Sequence, residues 1–320
     1  MKHKVNPSAR ATKAPKASPL GQLSDIDLRL LRVFKSVVEA GGLSAAELEL
    51  NIGRSTISRH LKDLEIRLGM NLAKRGRGGF ALTEEGSNIY RATLNLLGSI
   101  ESFRNEVNGI QQSLTGKLSI ALFDKTAGNP ACHIDKAIAR YVSMAPEVAL
   151  ELHVEPINVI EKGVMEGRFQ LGVIPAHRES SSLNYVPLFD EQMYLYCGKN
   201  HPLFDQDDTV IRNSEVLQYP YAGLGYHSPN MEVGQRLSMQ RSATAYDQEA
   251  IVHLVLSNCY LGYLPEHYAA PWVRRGEMRA LACDEFQYLC QFLAISRVSP
   301  KPSRILQGFI ECLAAEHPFE

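Results

Sequence analysis

Apolar residues recur with a helical period through the first third of the chain, and the intervening positions are mostly basic or hydroxylated. One apolar set shares a face of a predicted helix; it comprises Ile57, Leu61, Leu64 and Leu68. Asn51 and Gly53 precede this helix and favour a turn, because both tolerate left-handed backbone. A shorter helix is predicted to start at Ser44, since Ser44 and Glu47 have the S-x-x-E spacing of a capping box. Two helices around a turn predict a helix-turn-helix.

The opposite face of the second helix carries side chains that suit contact with DNA. They are Arg54, Ser55, Thr56, Ser58, Arg59 and Lys62. An α-helix fits the major groove, where arginine reaches guanine edges and serine or threonine contacts bases or phosphates. The alternative is an amphipathic core helix with a solvated basic face. The basic segment that follows favours the DNA interpretation.

That segment predicts the wing of a winged helix-turn-helix. Arg75 and Arg77 alternate with glycines, and an extended pattern resumes at Phe80. Glycines permit a tight hairpin, and the arginines are then placed to contact phosphates or enter the minor groove. We therefore predict Arg75 and Arg77 as further DNA contacts.

A long helix is expected after the wing. Thr83 can cap a helix that begins at the acidic pair Glu84 and Glu85. Apolar residues then recur at steps of three and four, apart from one gap at Thr93; they are Ile89, Leu96, Ile100, Phe103, Val107, Ile110 and Leu114. Such a seam suits a two-helix coiled coil. We predict a linker and dimerisation helix over residues 84–115, the alternative being a helix packed on its own chain's core.

Residues 116–320 alternate between predicted strands and helices. The first set has strands at 118–123, 148–154 and 170–174, with helices at 130–144 and 159–166. The second set has strands at 194–198, 221–224, 243–246, 261–264 and 290–295, with helices near 230–240, 248–257 and 303–315. This order implies parallel strands with helices on both faces. The fold class is therefore α/β, with two lobes in the C-terminal part.

The chain resembles LysR-type transcriptional regulators. The resemblance rests on LRVFKSVVEAGGLSAA at 31–46, STISRHLKDLEIRLG at 55–69 and LAKRGRGGFALTEEG at 72–86. It implies a winged helix-turn-helix over residues 24–83 and a periplasmic-binding-protein-like effector domain over 116–320. It also implies that Ser58 and Arg59 lie near DNA. Arg54, Ser55 and Ala73 depart from the usual family residues, so the operator sequence does not follow from the resemblance.

The resemblance further implies a small-molecule effector between the two lobes, and a homodimer that pairs into a tetramer. Open α/β sheets bind ligands beyond the carboxyl ends of their strands. The candidate effector-binding residues in those loops are Lys125, Thr126, Asn158, Tyr226 and His227. Lys125 hints at an anionic effector, although adjacent Asp124 weakens that inference. Two half-sites of an imperfect palindrome would suit the dimer, and RNA polymerase is a further expected partner.

Charge is distributed unevenly although the net charge is −1. Residues 1–116 carry 17 Lys/Arg against 11 Asp/Glu, and residues 117–320 carry 17 against 24. A basic first third suits DNA, and an acidic remainder should stay off it. Residues 1–23 hold five basic residues, three prolines and no apolar run, which predicts a disordered basic tail rather than a secretory signal. No stretch is long and apolar enough for a membrane span, and with no export signal we expect a cytoplasmic location.

Neither a metal site nor an enzyme is predicted. The six cysteines are scattered without C-x-x-C spacing, which gives no indication of zinc. We find no convincing phosphate-binding loop, nucleophile elbow or metal-binding histidine motif, so we expect neither a cofactor nor catalytic residues. Two alternatives remain: a DNA-binding regulator without a small-molecule ligand, and a redox sensor acting through Cys197 and Cys290.

Overall fold

The computed structural model describes residues 21–76, 79–110, 114–207, 211, 213–281 and 286–318. The fold is mixed α/β, as predicted, and divides into two compact units, one ending at Leu96 and the other beginning at Leu97. Most of the predicted basic tail lies outside the described residues. Within them, no helix is long and apolar enough to cross a membrane.

The first unit contains the predicted helix-turn-helix and wing. Its elements are α1 (Asp25–Glu39), α2 (Leu43–Leu50), α3 (Arg54–Leu68), β1 (Ala73–Gly76), β2 (Gly79–Leu82) and the start of α4 (Glu84–Ile110). The strands β1 and β2 pair antiparallel. The predicted apolar stripe of α3 is buried against α1 and α2 in one core; its further members include Leu30, Leu31, Phe34, Val37, Ala46 and Leu72.

The start of α2 differs from the prediction. α2 begins at Leu43 behind Gly42, so the capping box predicted at Ser44 is wrong. Glu47 instead accepts a hydrogen bond from the backbone N–H of Arg54, at 2.5 Å. Gly53 has no side chain to cap α3, and the carboxylate of Glu47 takes that place at the positive end of the helix.

The junction between β2 and α4 agrees with the sequence pattern. The Thr83 hydroxyl accepts a hydrogen bond from the backbone N–H of Gly86, at 2.9 Å, which confirms the predicted cap. Gly86 lies directly against the backbone of Leu72. A Cβ atom at position 86 would lie 1.9 Å from the Leu72 carbonyl oxygen, so only glycine fits there without movement.

We expect Gly86→Ala to lower the free energy of unfolding by about 2–3 kcal/mol, because overpacking a close backbone contact forces the backbone to shift. Gly98→Ala in the same helix is the matched control. A Cβ at Gly98 would meet its nearest neighbour, Arg297 Nη2, at 3.8 Å, so alanine fits and should stabilise the helix by up to about 1 kcal/mol. Urea unfolding followed by circular dichroism tests both. Equal stability of the two variants would contradict the expectation.

The second unit is built on one mixed sheet with helices packed on it. Its strands are β3 (Gly116–Leu122), β4 (Val148–Val154), β5 (Leu171–Pro175), β6 (Leu183–Gly198), β7 (Tyr221–Leu224), β8 (Arg241–Ala245), β9 (Leu261–Pro265), β10 (Met278–Ala280) and β11 (Gln287–Arg297). Its helices are α5 (Ile134–Met144), α6 (Ile157–Glu166), α7 (Asn213–Val216), α8 (Pro229–Arg236), α9 (Gln248–Leu256), α10 (Glu266–Arg274) and α11 (Arg304–Glu316). The strand order is β4-β3-β5-β11-β6-β9-β7-β8, and β10 pairs with β6.

Two parallel strand groups form the predicted lobes. β3 pairs in parallel with β4 and β5, and β7 pairs in parallel with β8 and β9. Between the groups, β6 and β11 run antiparallel to each other and connect the lobes. β6 begins at Leu183, eleven residues before the predicted strand. The strand predicted at 290–295 for the second lobe pairs with β5 of the first lobe, because strand periodicity does not specify a partner.

Candidate functional site

α3 presents a polar face to solvent because its apolar face is fixed in the core. Four of the predicted DNA contacts on this helix are exposed and two are half-buried; the exposed ones are Arg54, Ser55, Arg59 and Lys62, and the others are Thr56 and Ser58. The side chains of the apolar stripe at Ile57 and Leu61 are fully buried. The helix therefore offers a basic and hydroxylated surface from a rigid support.

An ion pair connects the C-terminal turn of α3 to the start of α1. Arg67 Nη2 lies 2.8 Å from Asp27 Oδ2, and Asp27 also accepts from the backbone N–H of Ser24 at 2.9 Å. Hydrogen bonds from Arg67 and Ser24 hold the pKa of the Asp27 carboxyl well below its usual range. Asp27 therefore stays ionised and keeps the orientation of α3 fixed.

The structure describes one of the two predicted wing arginines, Arg75. Arg75 Nη2 lies 2.8 Å from Glu65 Oε2 of α3, and Glu65 also accepts from the backbone N–H of Leu72 at 2.9 Å. The Arg75 guanidinium is thus held against α3, where it joins the wing to the helix. Arg77 lies outside the described residues.

A small cavity, partly open to solvent, lies in the second unit between the lobes. Loops at the carboxyl ends of the parallel strands contribute part of its lining; these residues are Phe123, Ile157, Pro175, Leu224, Ser228, Pro229 and Gln248. The crossing strands β6 and β11 contribute the rest, namely Glu191, Met193, Tyr288, Cys290 and Phe292. The cavity therefore occupies the place where open α/β sheets bind ligands.

None of the five predicted effector-binding residues belongs to the lining of this cavity. Lys125 Nζ lies 3.0 Å from Glu249 Oε2, and Thr126 is buried with its hydroxyl 3.5 Å from the Phe123 carbonyl oxygen. Asn158 is exposed in the first turn of α6, which starts two residues earlier than predicted. Two more lie in the loop after β7: Tyr226 is buried, and His227 is exposed with Nε2 3.4 Å from Glu232 Oε1.

The polar groups at one end of the cavity are not fully paired. Gln248 is 3% exposed and donates its backbone N–H to Asp124 Oδ2 at 3.0 Å. Among the described residues, Gln248 Oε1, Asp124 Oδ1 and the Tyr226 hydroxyl are buried without a hydrogen-bond partner. Glu191 is 4% exposed, and burial followed by the nearby charge of Asp124 raises its pKa to about 8. Buried polar atoms without partners are uncommon in native proteins.

Both units match known families. Residues 28–87 match the bacterial regulatory helix-turn-helix protein family of lysR type, and residues 111–318 match the LysR substrate binding domain. The chain is 41% identical over 295 residues to the HTH-type transcriptional activator BauR of Pseudomonas aeruginosa, which covers 92% of this chain and 97% of that protein. The chain belongs to the LysR family.

Solved LysR-type structures share its fold. Full-length OxyR from Pseudomonas aeruginosa, in a variant form, has a TM-score of 0.64 and 16% identity, and the match covers 92% of this chain and 96% of the OxyR chain. CbnR complexed with its target DNA has a TM-score of 0.60 and 18% identity, and the match covers 90% of this chain and 99% of the CbnR chain. As a LysR-family member, the chain is a DNA-binding transcriptional regulator with an effector-binding domain.

Sequence reasoning missed the cavity residues on the crossing strands of this LysR-type domain. Glu191 lies within β6, where the polar residues 190–192 interrupt an apolar strand, and the alternation that turns Glu191 inward is the signal that could have identified it. Cys290 lies opposite Glu191 on β11, and Tyr288 opposite Met193. Nothing in the local pattern indicated that β6 and β11 pass under the ligand loops of both lobes.

The structure contradicts a redox switch between Cys197 and Cys290. In the pairing of β6 with β11, Cys290 lies opposite Glu191, six residues along β6 from Cys197. Six strand residues span roughly 20 Å, whereas the Cα atoms of a disulfide lie within about 7 Å. Burial also raises the pKa of the Cys290 thiol well above its usual value, which disfavours the reactive thiolate.

The buried carboxylate of Glu161 forms an ion-pair cluster at the contact between the lobes. Glu161 Oε2 lies 2.5 Å from Arg178 Nη2, and Glu161 Oε1 lies 3.5 Å from His177 Nε2. Burial opposes ionisation of Glu161, but hydrogen bonds from His177 and Arg178 outweigh it and lower its pKa to about 2. The His177 ring also lies 5.2 Å from the ring of His227 in the second lobe.

We expect the Glu161 cluster to make stability acid-sensitive. Because the pKa of Glu161 is lower in the folded state, its contribution is complete above about pH 4.5 and is lost as the pH falls toward about 2. Glu161→Gln should therefore lower stability at pH 7 by about 2–3 kcal/mol and flatten the dependence on pH below 4.5. Denaturant unfolding between pH 3 and pH 7 measures both effects.

Glu101→Gln is the control for this variant. It removes an exposed ion pair with Arg104, at 3.0 Å, and exposed pairs contribute little to stability. An unchanged acid profile in Glu161→Gln would show that the cluster does not carry the effect.

Proposed function

We propose that this LysR-family regulator binds operator DNA through the exposed face of α3 and responds to a small molecule in the cavity between its lobes. The observation that carries the DNA part is the division of α3 into a buried apolar face and an exposed face of DNA-contacting residue types. The contacts are Arg54, Ser55, Thr56, Ser58, Arg59 and Lys62, with Arg77 as the wing contact. Arg75 supports the wing through its ion pair with Glu65.

The domain division that supports this function is winged helix-turn-helix over 24–83, linker helix over 84–115 and effector domain over 116–320. Phe103 and Val107, one turn apart on α4, are 67% and 42% exposed. Exposed large apolar residues at helical spacing favour a partner helix. We infer that α4 pairs two chains into a dimer that binds two half-sites, and that dimers pair into a tetramer.

The cavity supports gating by a small molecule. Buried acceptors without partners at its polar end, together with apolar walls, are typical of a ligand site. A ligand that binds one lobe arrangement more tightly shifts the balance between arrangements by that difference in affinity. Because the 41% identical relative is an activator, we propose activation as the outcome, through contact with RNA polymerase. The protein acts in the cytoplasm and is not an enzyme.

Selection of genomic DNA fragments by the purified full-length protein tests the DNA part. At about 150 mM salt, non-specific phosphate contacts are already weakened. We expect recovery of a few promoter fragments that share an interrupted palindrome. Uniform recovery of all fragments would contradict sequence-specific binding by α3. The genes beside the recovered sites would nominate metabolites, and a panel that leaves thermal stability unchanged would favour a regulator without a ligand.

A further inference from the structure

Carboxyl and amide oxygen atoms lie at the polar end of the cavity. Glu191 on β6 and Gln248 at the start of α9 line the cavity, and both are more than nine-tenths buried. The side-chain oxygen Gln248 Oε1 has no hydrogen-bond partner among the described residues, and the same holds for Asp124 Oδ1 beside it. Asp124 accepts a hydrogen bond from the Gln248 backbone and its charge acts on Glu191, so two carboxyl groups and an unpaired amide oxygen lie near one another.

No lysine or arginine is among the cavity-lining residues that the structure describes. The nearest candidate from the sequence, Lys125, is engaged by Glu249 at 3.0 Å and lies over the ring of Tyr268, 5.2 Å from its centroid. His267 is the basic group that faces Glu191, with Nδ1 3.7 Å from Glu191 Oε1, and it also contacts the Lys125 carbonyl oxygen at 3.0 Å. The expectation of an anionic effector based on Lys125 is therefore not supported.

We propose that the cavity binds a small molecule through a protonated amino group, held by the Glu191 carboxylate and Gln248 Oε1, with the charge of Asp124 reinforcing the attraction. This inference rests on the proposed function of the cavity as the effector site. An ammonium group has donors and no acceptor, which matches acceptors that lack partners. A cation also compensates for two nearby carboxylates that would otherwise repel each other.

The rest of the lining limits the size and character of the ligand. Apolar side chains from both lobes and from the crossing strands form the walls; these are Phe123, Ile157, Leu224, Met193 and Phe292. The cavity is partly open to solvent, so a short aliphatic chain can extend from the amino group toward the opening. The ligand class is therefore a small aliphatic amine, with or without a second polar group at its other end.

The protonation state of Glu191 gives this proposal a second readout. In the ligand-free protein, burial and Asp124 raise the pKa of Glu191 to about 8, so the carboxyl is largely protonated at pH 7. Binding a cation favours the ionised form and expels the proton. Affinity for amines is therefore expected to rise with pH between about 6 and 8, by up to tenfold per pH unit. The titratable groups near Glu191 are Asp124, Cys132, His267, Tyr288 and Cys290, and the Asn129 side chain forms a hydrogen bond with its carboxyl group.

Calorimetric titration and thermal unfolding of the full-length protein test the proposal. The probes are short straight-chain primary amines and ω-amino carboxylates, with alcohols and carboxylates of the same chain lengths as controls. We expect the amino compounds to bind and raise the melting temperature, while the alcohols and simple carboxylates do not. Glu191→Gln should weaken binding at least about tenfold, since a charged hydrogen bond becomes a neutral one, and should remove the pH slope.

Three variants make the outcomes decisive. Glu151→Gln makes the same change of charge on β4, outside the lining, and should bind like the wild type. Asp124→Asn keeps an oxygen for the Gln248 N–H and is the second test if Glu191→Gln does not fold. His267→Gln removes the basic side chain that faces Glu191, and a pH slope that persists in Glu191→Gln but disappears here would overturn the role of Glu191.

The remaining outcomes separate this inference from the proposed function. If alcohols or simple carboxylates bind and amines do not, the amine class is wrong while the cavity remains an effector site. If no probe binds, the amine class is wrong, and the panel of metabolites nominated by the operator sites decides separately whether the cavity is an effector site. Operator selection by α3 would be unaffected in either case.

Discussion

We expect Arg59→Ala to lower affinity for the selected operator by about 10- to 100-fold. Arg59 is exposed on α3, on the face opposite Ile57 and Leu61, which are fully buried in the core. An arginine on a recognition helix contributes about 1–3 kcal/mol when it reaches a base edge. Fluorescence anisotropy with a labelled operator fragment at fixed salt measures this change.

Arg104→Ala is the matched control for Arg59→Ala, because it removes an exposed arginine on α4 that pairs with Glu101. It should leave operator affinity unchanged. The dependence on salt then separates the two kinds of contact: loss of a phosphate contact lowers the salt slope by about one, whereas loss of a base contact relaxes sequence preference. Equal operator affinity of Arg59→Ala and the wild type would exclude Arg59 as a contact.

The second large effect is expected from Phe103→Glu on α4. Phe103 is 67% exposed and lies one turn before Val107, which is also exposed. If two α4 helices pair along this face, the variant removes a large apolar contact and introduces a charge into the interface. Losing a buried phenylalanine costs about 3–5 kcal/mol, so self-association should weaken at least about 100-fold. Sedimentation analysis over a range of protein concentrations measures it.

Arg104→Glu introduces a glutamate, as Phe103→Glu does, but at the next position of the helix and outside the apolar seam. It should associate like the wild type, because it changes only a surface ion pair. Operator affinity should fall in Phe103→Glu together with association, since two recognition helices are needed for two half-sites. A Phe103→Glu protein that sediments like the wild type would mean that α4 is not the dimer contact.

Local periodicity alone predicted the helix-turn-helix and the wing. The stripe from Ile57 to Leu68 repeats at helical spacing, and burial confirms that this stripe faces the core. Asn51 takes the left-handed backbone conformation, and Thr83 caps α4, as their residue types indicate. These features depend on residues that are close to one another along the chain, so the local sequence is sufficient to predict them.

Long-range pairing decided the features that sequence reasoning missed. Glu47 caps α3 rather than its own helix, because folding brings its carboxylate to the free N–H of Arg54. Arg75 pairs with Glu65 across the junction of wing and helix. β11 joins the first lobe because its register with β6 places Phe292 to Ile295 beside β5. Each contact links residues whose approach no local pattern encodes.

The effector cavity shows both contributions. The sequence by itself placed the ligand loops at the carboxyl ends of the parallel strands, since alternating strands and helices require that arrangement. Only the tertiary structure brought Glu191 and Gln248, fifty-seven positions apart in the chain, to one cavity. It also placed Lys125 in an ion pair with Glu249. The sequence determines which faces are buried, whereas the charge of a cavity depends on which distant side chains meet there.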